Sequence, residues 1–326
     1  ADRIVAEWHL GDSLEAQILL ARCDQERGLP ELALARLEGQ FPRFPRSDEL
    51  LLQLARLQRE LGHVEEARRY AVLRQANSPA SPEPRIDLLH SFRAAGDKSA
   101  EQRELGAYFD TFGSEPKALL LIAAFAVDTV QPTLAQRAHD LAREQGFPLA
   151  AFELARIQAA VAALDYRGAL QFVDAVLRYQ PAGTEANASL LKGLRAATLF
   201  GLGATAEARS ALTLFLNGPR LRTSEALLLA RQLQVLELPA EARRVVARAC
   251  ALDPLDQSTL TELIRLDATA GDRAALIANL PKFLRLAKPS RRVLEAALPR
   301  LDQPADAPWR EQVQAALART SVMTPP

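Results

Sequence analysis

Gly28, Gly62 and Gly96 lie 34 residues apart, and each stands between two stretches whose apolar residues recur at helical spacing. Ala21 and Ala55 keep the same period, as do Ala33 and Ala67, and so do Pro45 and Pro79. Landmarks in one register restrict the fold more than composition can, because a fixed period of roughly 20–50 residues marks a repeat architecture. A helix–glycine–helix–proline unit cannot bury its own apolar face, so stacked neighbours must supply the core. Composition agrees: aromatics are only 6% of the chain, and Ala and Leu outnumber the β-branched residues that lose freedom in a helix. No stretch shows the period-two alternation of a strand.

Units beginning at Leu14 and Asp48 define the pattern. The second carries Leu51, Leu54, Ala55, Gly62, Ala67, Ala71 and Pro79 in order. A third at Pro82 keeps Leu88, Phe92 and Gly96, with Glu101 where a small residue is expected, and a fourth at Pro116 keeps Ala123, Ala135 and Ala142. A looser fifth spans 148–183, with Asp165, Tyr166, Ala169 and Pro181 marking its second helix. The register slips by about five residues and resumes at Ser189 with Ala196, Gly203 and Ala208. Units at Thr223 (Leu229, Ala230, Ala242, Val246, Ala249, Pro254) and Gln257 (Leu260, Leu263, Gly271, Leu280) follow. This arrangement of small residues, turn glycine and closing proline resembles the tetratricopeptide repeat, a 34-residue helix–turn–helix unit.

The resemblance implies an all-α fold, a right-handed superhelical solenoid of antiparallel helix pairs with about eight to nine units. Residues 1–11 read as an N-terminal helix, a cap or a truncated unit. Residues 12–289 form the repeat array, with the register slip near 182–189, and 290–326 hold capping helices near 290–301 and 308–319 and a tail. The landmarks have physical reasons. Small residues let two helix axes approach to about 8–10 Å. Glycine takes the left-handed conformation that closes a helix, and proline ends one unit before the next. Asp12, Ser47 and Ser81 fall where helix N-caps are useful.

Several functions are disfavoured. The 40 basic and 40 acidic side chains cancel, which argues against a nucleic-acid or anionic-membrane binder. No stretch reaches the ~18–20 apolar residues of a membrane span. The four histidines (His9, His63, His90, His139) sit in no metal-binding spacing, and no phosphate-loop, dinucleotide or nucleophile-elbow motif occurs. No cofactor and no catalysis are expected. His63 and His139 read as solvated surface in a turn and on a second helix. Cys23 and Cys250 are far apart in a solenoid and read as small apolar core residues. The chain begins at Ala1, so the sequence is compatible with a cytoplasmic protein or a periplasmic one whose upstream signal or anchor was removed.

In the family resembled, the first helix of each unit lines the inner groove. Its ninth position reads Arg22, Arg56, His90, Ala124, Arg156, Ala197, Arg231 and Arg265 along the array, and its twelfth adds Arg59 and Arg93. Such a ladder can grip carboxylates in bidentate fashion. Local pairing competes: Arg22 with Glu26 and Arg56 with Glu60 are four apart on one helix, and Glu15, Glu49 and Glu83 recur at the second position. Leu120, Val127 and Phe152 are candidates for an apolar centre of the groove, suited to an amphipathic helix; burial and self-association are the alternatives. The expected function is a protein- or peptide-binding scaffold or adaptor, as in assembly of a bacterial complex, whose partner supplies an acidic or amphipathic segment. The alternative is a peptide-sensing regulatory domain acting through a DNA-binding or enzymatic segment outside this chain.

Overall fold

The structure, a computed structural model, describes residues 13–179, 187–218, 221–286 and 289–321. Among them every regular element is helical. The α-helices are α1 Leu14–Glu26, α2 Pro30–Glu38, α3 Asp48–Glu60, α4 Val64–Asn77, α5 Pro82–Ala94, α6 Lys98–Phe112, α7 Pro116–Asp128, α8 Pro132–Glu144 and α9 Ala150–Ala162. They continue as α10 Tyr166–Tyr179, α11 Ala188–Gly201, α12 Thr205–Leu216, α13 Thr223–Val235, α14 Pro239–Leu252, α15 Gln257–Ala270, α16 Arg273–Leu284, α17 Arg291–Ala297 and α18 Ala307–Ser321. Short 3-10 turns at Leu298–Arg300 and Pro304–Asp306 join the last two. The first eleven residues, Asp12 and most of the register slip lie outside the described residues.

The chain divides into two compact units, Ala1–Ala155 and Arg156–Pro326. In the first, α3 packs on its partner α4 and on α5, the first helix of the next pair; α4 also packs on α5, and α5 on α7. The second repeats the scheme, with α13 on α14 and α15, α14 on α15, and α15 on α16 and α17. Each pair is thus completed by the first helix of its neighbour, which is how a repeat too small to hold a core obtains one. Leu50, Leu51, Leu54, Ala55 and Leu57 of α3 are sealed against Ala21, Ala33, Leu37 and Tyr70. In the second unit, Leu229, Leu233, Val245, Val246, Leu263, Ile264, Leu280 and Phe283 share one interior. A buried Leu or Phe contributes about 1.5–3 kcal/mol, and the small residues Ala55, Ala67, Ala230 and Ala242 have almost no exposed surface.

The turns explain the 34-residue landmark. At Gly62, φ is +81°, its N–H donates to the Arg59 carbonyl (3.1 Å) and the His63 N–H to the Gln58 carbonyl (2.8 Å), the left-handed closure of a helix end. Val130, Leu164 and Glu237 adopt the same conformation (φ +56°, +60° and +59°) without being glycine. At Val130 the same two bonds form, Val130 N–H to Val127 O and Gln131 N–H to Ala126 O. The turn therefore survives where its usual residue is missing, at a backbone cost of about 1–2 kcal/mol.

Ser47 caps α3 as expected, its hydroxyl accepting from the Leu50 N–H (3.3 Å). Ser81 stands at the N-cap of α5, but its side chain accepts no capping bond; Pro84, third in the helix, has no N–H to donate to such a cap. Neither cysteine forms a disulfide. Cys250 is buried and Cys23 half-buried.

Candidate functional site

The arginine ladder divides into engaged and free members. Arg22, exposed on α1, donates from Nη2 to Glu49 of α3 at 2.5 Å, and Gln25 reaches Glu60 at 3.1 Å. Lys117 of α7 likewise reaches back to Glu83 of α5 at 2.5 Å. Neutralisation therefore runs between neighbouring first helices. Arg56 and Glu60 form no ion pair, because Glu60 is turned to Gln25; the Glu26 side chain lies outside the described residues. Arg93 donates to Glu101 (3.2 Å) and to the Thr129 carbonyl (2.7 Å), so it binds the C-terminal turn of α7. In the second unit, Arg265 donates from Nε and Nη2 to Glu262 (2.7 and 2.6 Å) and from Nη2 to Gln234.

What remains in the first unit is a cluster centred on α3 and α5. Arg56 is exposed and makes no hydrogen bond or ion pair with another described residue. Arg59 is half-buried, and its Nη1 is sealed from water without a partner. Burial holds its guanidinium below the usual range, Asp87 opposing and Arg56 adding to the effect. His90 is half-buried with its ring edge-on to Phe125 of α7, centroids 4.7 Å apart. Burial, then Arg59, Arg56 and Arg93, lowers its pKa to about 4. Asp87 is buried and its carboxyl is pushed up by that burial, against Arg74, Arg56 and Arg59. Arg74 of α4 joins Asp87 to Asp48, donating to the latter at 2.7 and 2.8 Å.

In the second unit, exposed Arg231 of α13 is the free member. It lines an open pocket of about 450 Å³ with Leu227, Gln257, Ser258, Thr261, Glu262 and Ser290. Arg156 is half-buried, its guanidinium 3.9 Å over the Phe172 ring. Of the apolar candidates, Leu120 is exposed and Val127 half-buried, whereas Phe152 is 2% exposed and belongs to the interior. Phe152 offers a ligand nothing, since its slot on α9 turns inward.

His139 departs from the solvated surface position expected of it. It is 3% exposed, with Nε2 3.0 Å from Glu153 and Nδ1 3.4 Å from Asp140, joining α8 to α9. His63 is exposed in its turn, Nδ1 2.7 Å from Gln58 Oε1. Among the described residues, no group of three or more His, Cys, Asp or Glu side chains is placed to hold a metal ion. None of the described helices is long and apolar enough to cross a membrane.

No model of a known family matches the chain, and no curated protein matches it. Among solved structures it is similar to a tetratricopeptide repeat protein from Parabacteroides merdae ATCC 43184, with 14% identity and a TM-score of 0.42 over 77% of this chain and 97% of that one. It is also similar to a chain in the structure of Naa15/Naa10 bound to HypK-THB, with 14% identity and a TM-score of 0.33. That match covers 99% of this chain and 55% of the other, so the chain spans about half of that length. Likenesses this slight carry no argument about function. The helix-pair architecture stands on the packing and turns described above.

Proposed function

We propose that this tetratricopeptide-like array of helix pairs is a non-catalytic scaffold, each of whose two units offers its first helices to an acidic segment of a partner protein. The observation that carries the reading is the contrast within the ladder. Arg22, Arg93 and Arg265 are spent on neighbouring carboxylates and carbonyls, while Arg56 and Arg231 face solvent with no hydrogen bond or ion pair among the described residues. A guanidinium without a partner has no bond to give up on binding, and its planar fork matches a carboxylate in a pair of bonds. Exposed Leu120, on the α7 face that also carries Lys117, adds an apolar contact for an amphipathic segment.

The test is charge reversal. Partners captured from the native organism on the intact chain are identified, and the binding segment is titrated by calorimetry against the intact chain and against R56E and R231E. At least tenfold weaker binding to one variant or both is expected, with binding to the intact chain falling more steeply as salt is added than binding to the weakened variant. Equal affinity for all three sinks the reading.

A further inference from the structure

We propose that the basic run from Lys282 to Arg292, near the end of the second unit, is a docking surface for an acidic peptide segment of a partner protein, continuous with the pocket that Arg231 lines. The inference rests on the scaffold reading for the partner being a protein, and on the run's own charge for the site. Residues 282–292 hold five bases (Lys282, Arg285, Lys288, Arg291, Arg292) and no acid, in a chain whose 40 basic and 40 acidic side chains cancel. Lys288 lies outside the described residues, so the site stands on the other four. Lys282 sits in the last turn of α16 and Arg285 caps that helix three residues on, so the two share one side of it. Arg291 and Arg292 open α17. Lys282, Arg285 and Arg292 are exposed and make no hydrogen bond or ion pair with another described residue.

Helix stability accounts for only part of this run. Cations at the C-terminus of α16 complement its dipole, but Arg291 and Arg292 stand at the N-terminus of α17, where a cation opposes the dipole and an acid is favoured. Phe283, Leu284, Leu286, Val293 and Leu294 pack into or against the second unit's core, which fixes the backbone and leaves the bases outside. Ser290, between the two groups of bases, lines the Arg231 pocket, and its hydroxyl makes no capping bond. The run and the pocket are therefore one surface, joined at Ser290.

The acids that meet this surface are Glu295, Glu262, Asp253 and Asp256. Arg291 donates to Glu295 at 2.8 Å, and both Glu262 oxygens are taken by Arg265 and Gln234. Asp253 and Asp256 share the neighbourhood of Cys250 with Lys282, and accept from the Leu255 and Thr259 N–H groups. Against these four stand Arg231, Arg265, Lys282, Arg285, Arg291 and Arg292, so an excess of positive charge remains. The rest of the chain carries five more acids than bases, so a membrane surface or a nucleic acid, whose charge extends past the patch, meets that acidic remainder. A peptide with a few acidic residues confines its charge to the patch.

Labelled decapeptides of alternating Glu and Ser, and of alternating Gln and Ser, are titrated against the full chain by fluorescence anisotropy, beside phosphatidylglycerol vesicles and a single-stranded oligonucleotide. The Glu peptide should bind saturably, at least tenfold tighter than the Gln peptide, and more weakly as salt is added. K282Q/R285Q/R292Q should weaken it at least tenfold at unchanged helical circular dichroism. R46Q/R69Q/R209Q, which removes three exposed charges elsewhere, should change it less than twofold. No saturable binding, equal loss in the two variants, a Gln peptide bound equally, or vesicles or oligonucleotide bound in preference to the Glu peptide would each overturn the proposal. If the captured partner segment binds R56E and R231E as it binds the intact chain but loses K282Q/R285Q/R292Q, the first-helix reading falls and this surface stands. A segment weakened by R56E or R231E and untouched by K282Q/R285Q/R292Q sinks this surface alone.

Discussion

Arg243 of α14 donates from Nε to Asp267 of α15 at 2.5 Å, and the Asp267 carboxylate, fully buried, also accepts from Asn279 of α16 at 3.0 Å. One acid thus ties together the second helix of one pair, the first helix of the next, and that helix's own partner. D267A leaves a guanidinium and an amide facing a cavity without an acceptor. Arg243 is 31% exposed and can turn to water, so the expected loss is about 2–3 kcal/mol. Urea unfolding followed by circular dichroism measures it; a midpoint unchanged from the parent chain would show that the bond contributes nothing net.

The non-glycine turns predict a gain. Val130 holds φ +56° and is 45% exposed, so V130G relieves the left-handed strain and gives up little apolar contact. The expected stabilisation is about 1 kcal/mol. The reciprocal change, G62A, costs about 1 kcal/mol at φ +81°, although an added Cβ there meets nothing within 4 Å. Opposite shifts of the urea midpoint are the signature. A destabilised V130G would mean that the valine side chain, and not the backbone, sets that turn.

His90 predicts a pH dependence of stability. Its pKa is lowered in the fold to about 4, from an ordinary 6.5. Between those values the unfolded chain binds the proton and the folded chain does not, so the contribution is complete above about 6.5 and is lost as pH falls toward 4. Solvent reaches this half-buried ring, which discounts the loss to about 1–2 kcal/mol. Urea midpoints at pH 7 and pH 4.5 should converge in H90Q more than in the parent. An equal acid response in both would place the sensitivity elsewhere.

The helix boundaries and the pairing order were legible because they rest on apolar spacing and on glycine and proline, which act through the local backbone. Gly28, Gly62 and Gly96 do take positive φ, and Pro82 and Pro116 do open helices. Val130 and Glu237 were not legible as turns of the same kind, since neither is a residue that favours the left-handed conformation, although the same two backbone bonds close the helix there. The arginine ladder and the recurring glutamates that compete for it were visible as periodicities, but which arginine meets which glutamate was not. Arg22 pairs with Glu49 across a gap of 27 residues, a relation that helical spacing within one segment does not contain. Asp267 and His139 were missed for a related reason. A polar residue within an apolar stripe looks like an interruption until the partner from another helix is seen. The sequence signal was there in Leu263, Ile264, Leu266 and Ala268 surrounding Asp267.

The buried acids also bear on whether helix pairs are interchangeable. Asp87 accepts from Arg74 and Asp267 from Arg243, each arginine on the second helix of the preceding pair, whereas Asp24 meets Arg36 of its own pair. Apolar stripes alone would let any pair follow any other. The pair that carries Asp87, or the one that carries Asp267, would on transplantation elsewhere along the chain seat its leucines and part its carboxylate from that arginine. The acids therefore work as addresses, fixing the order of near-identical modules as well as their cohesion.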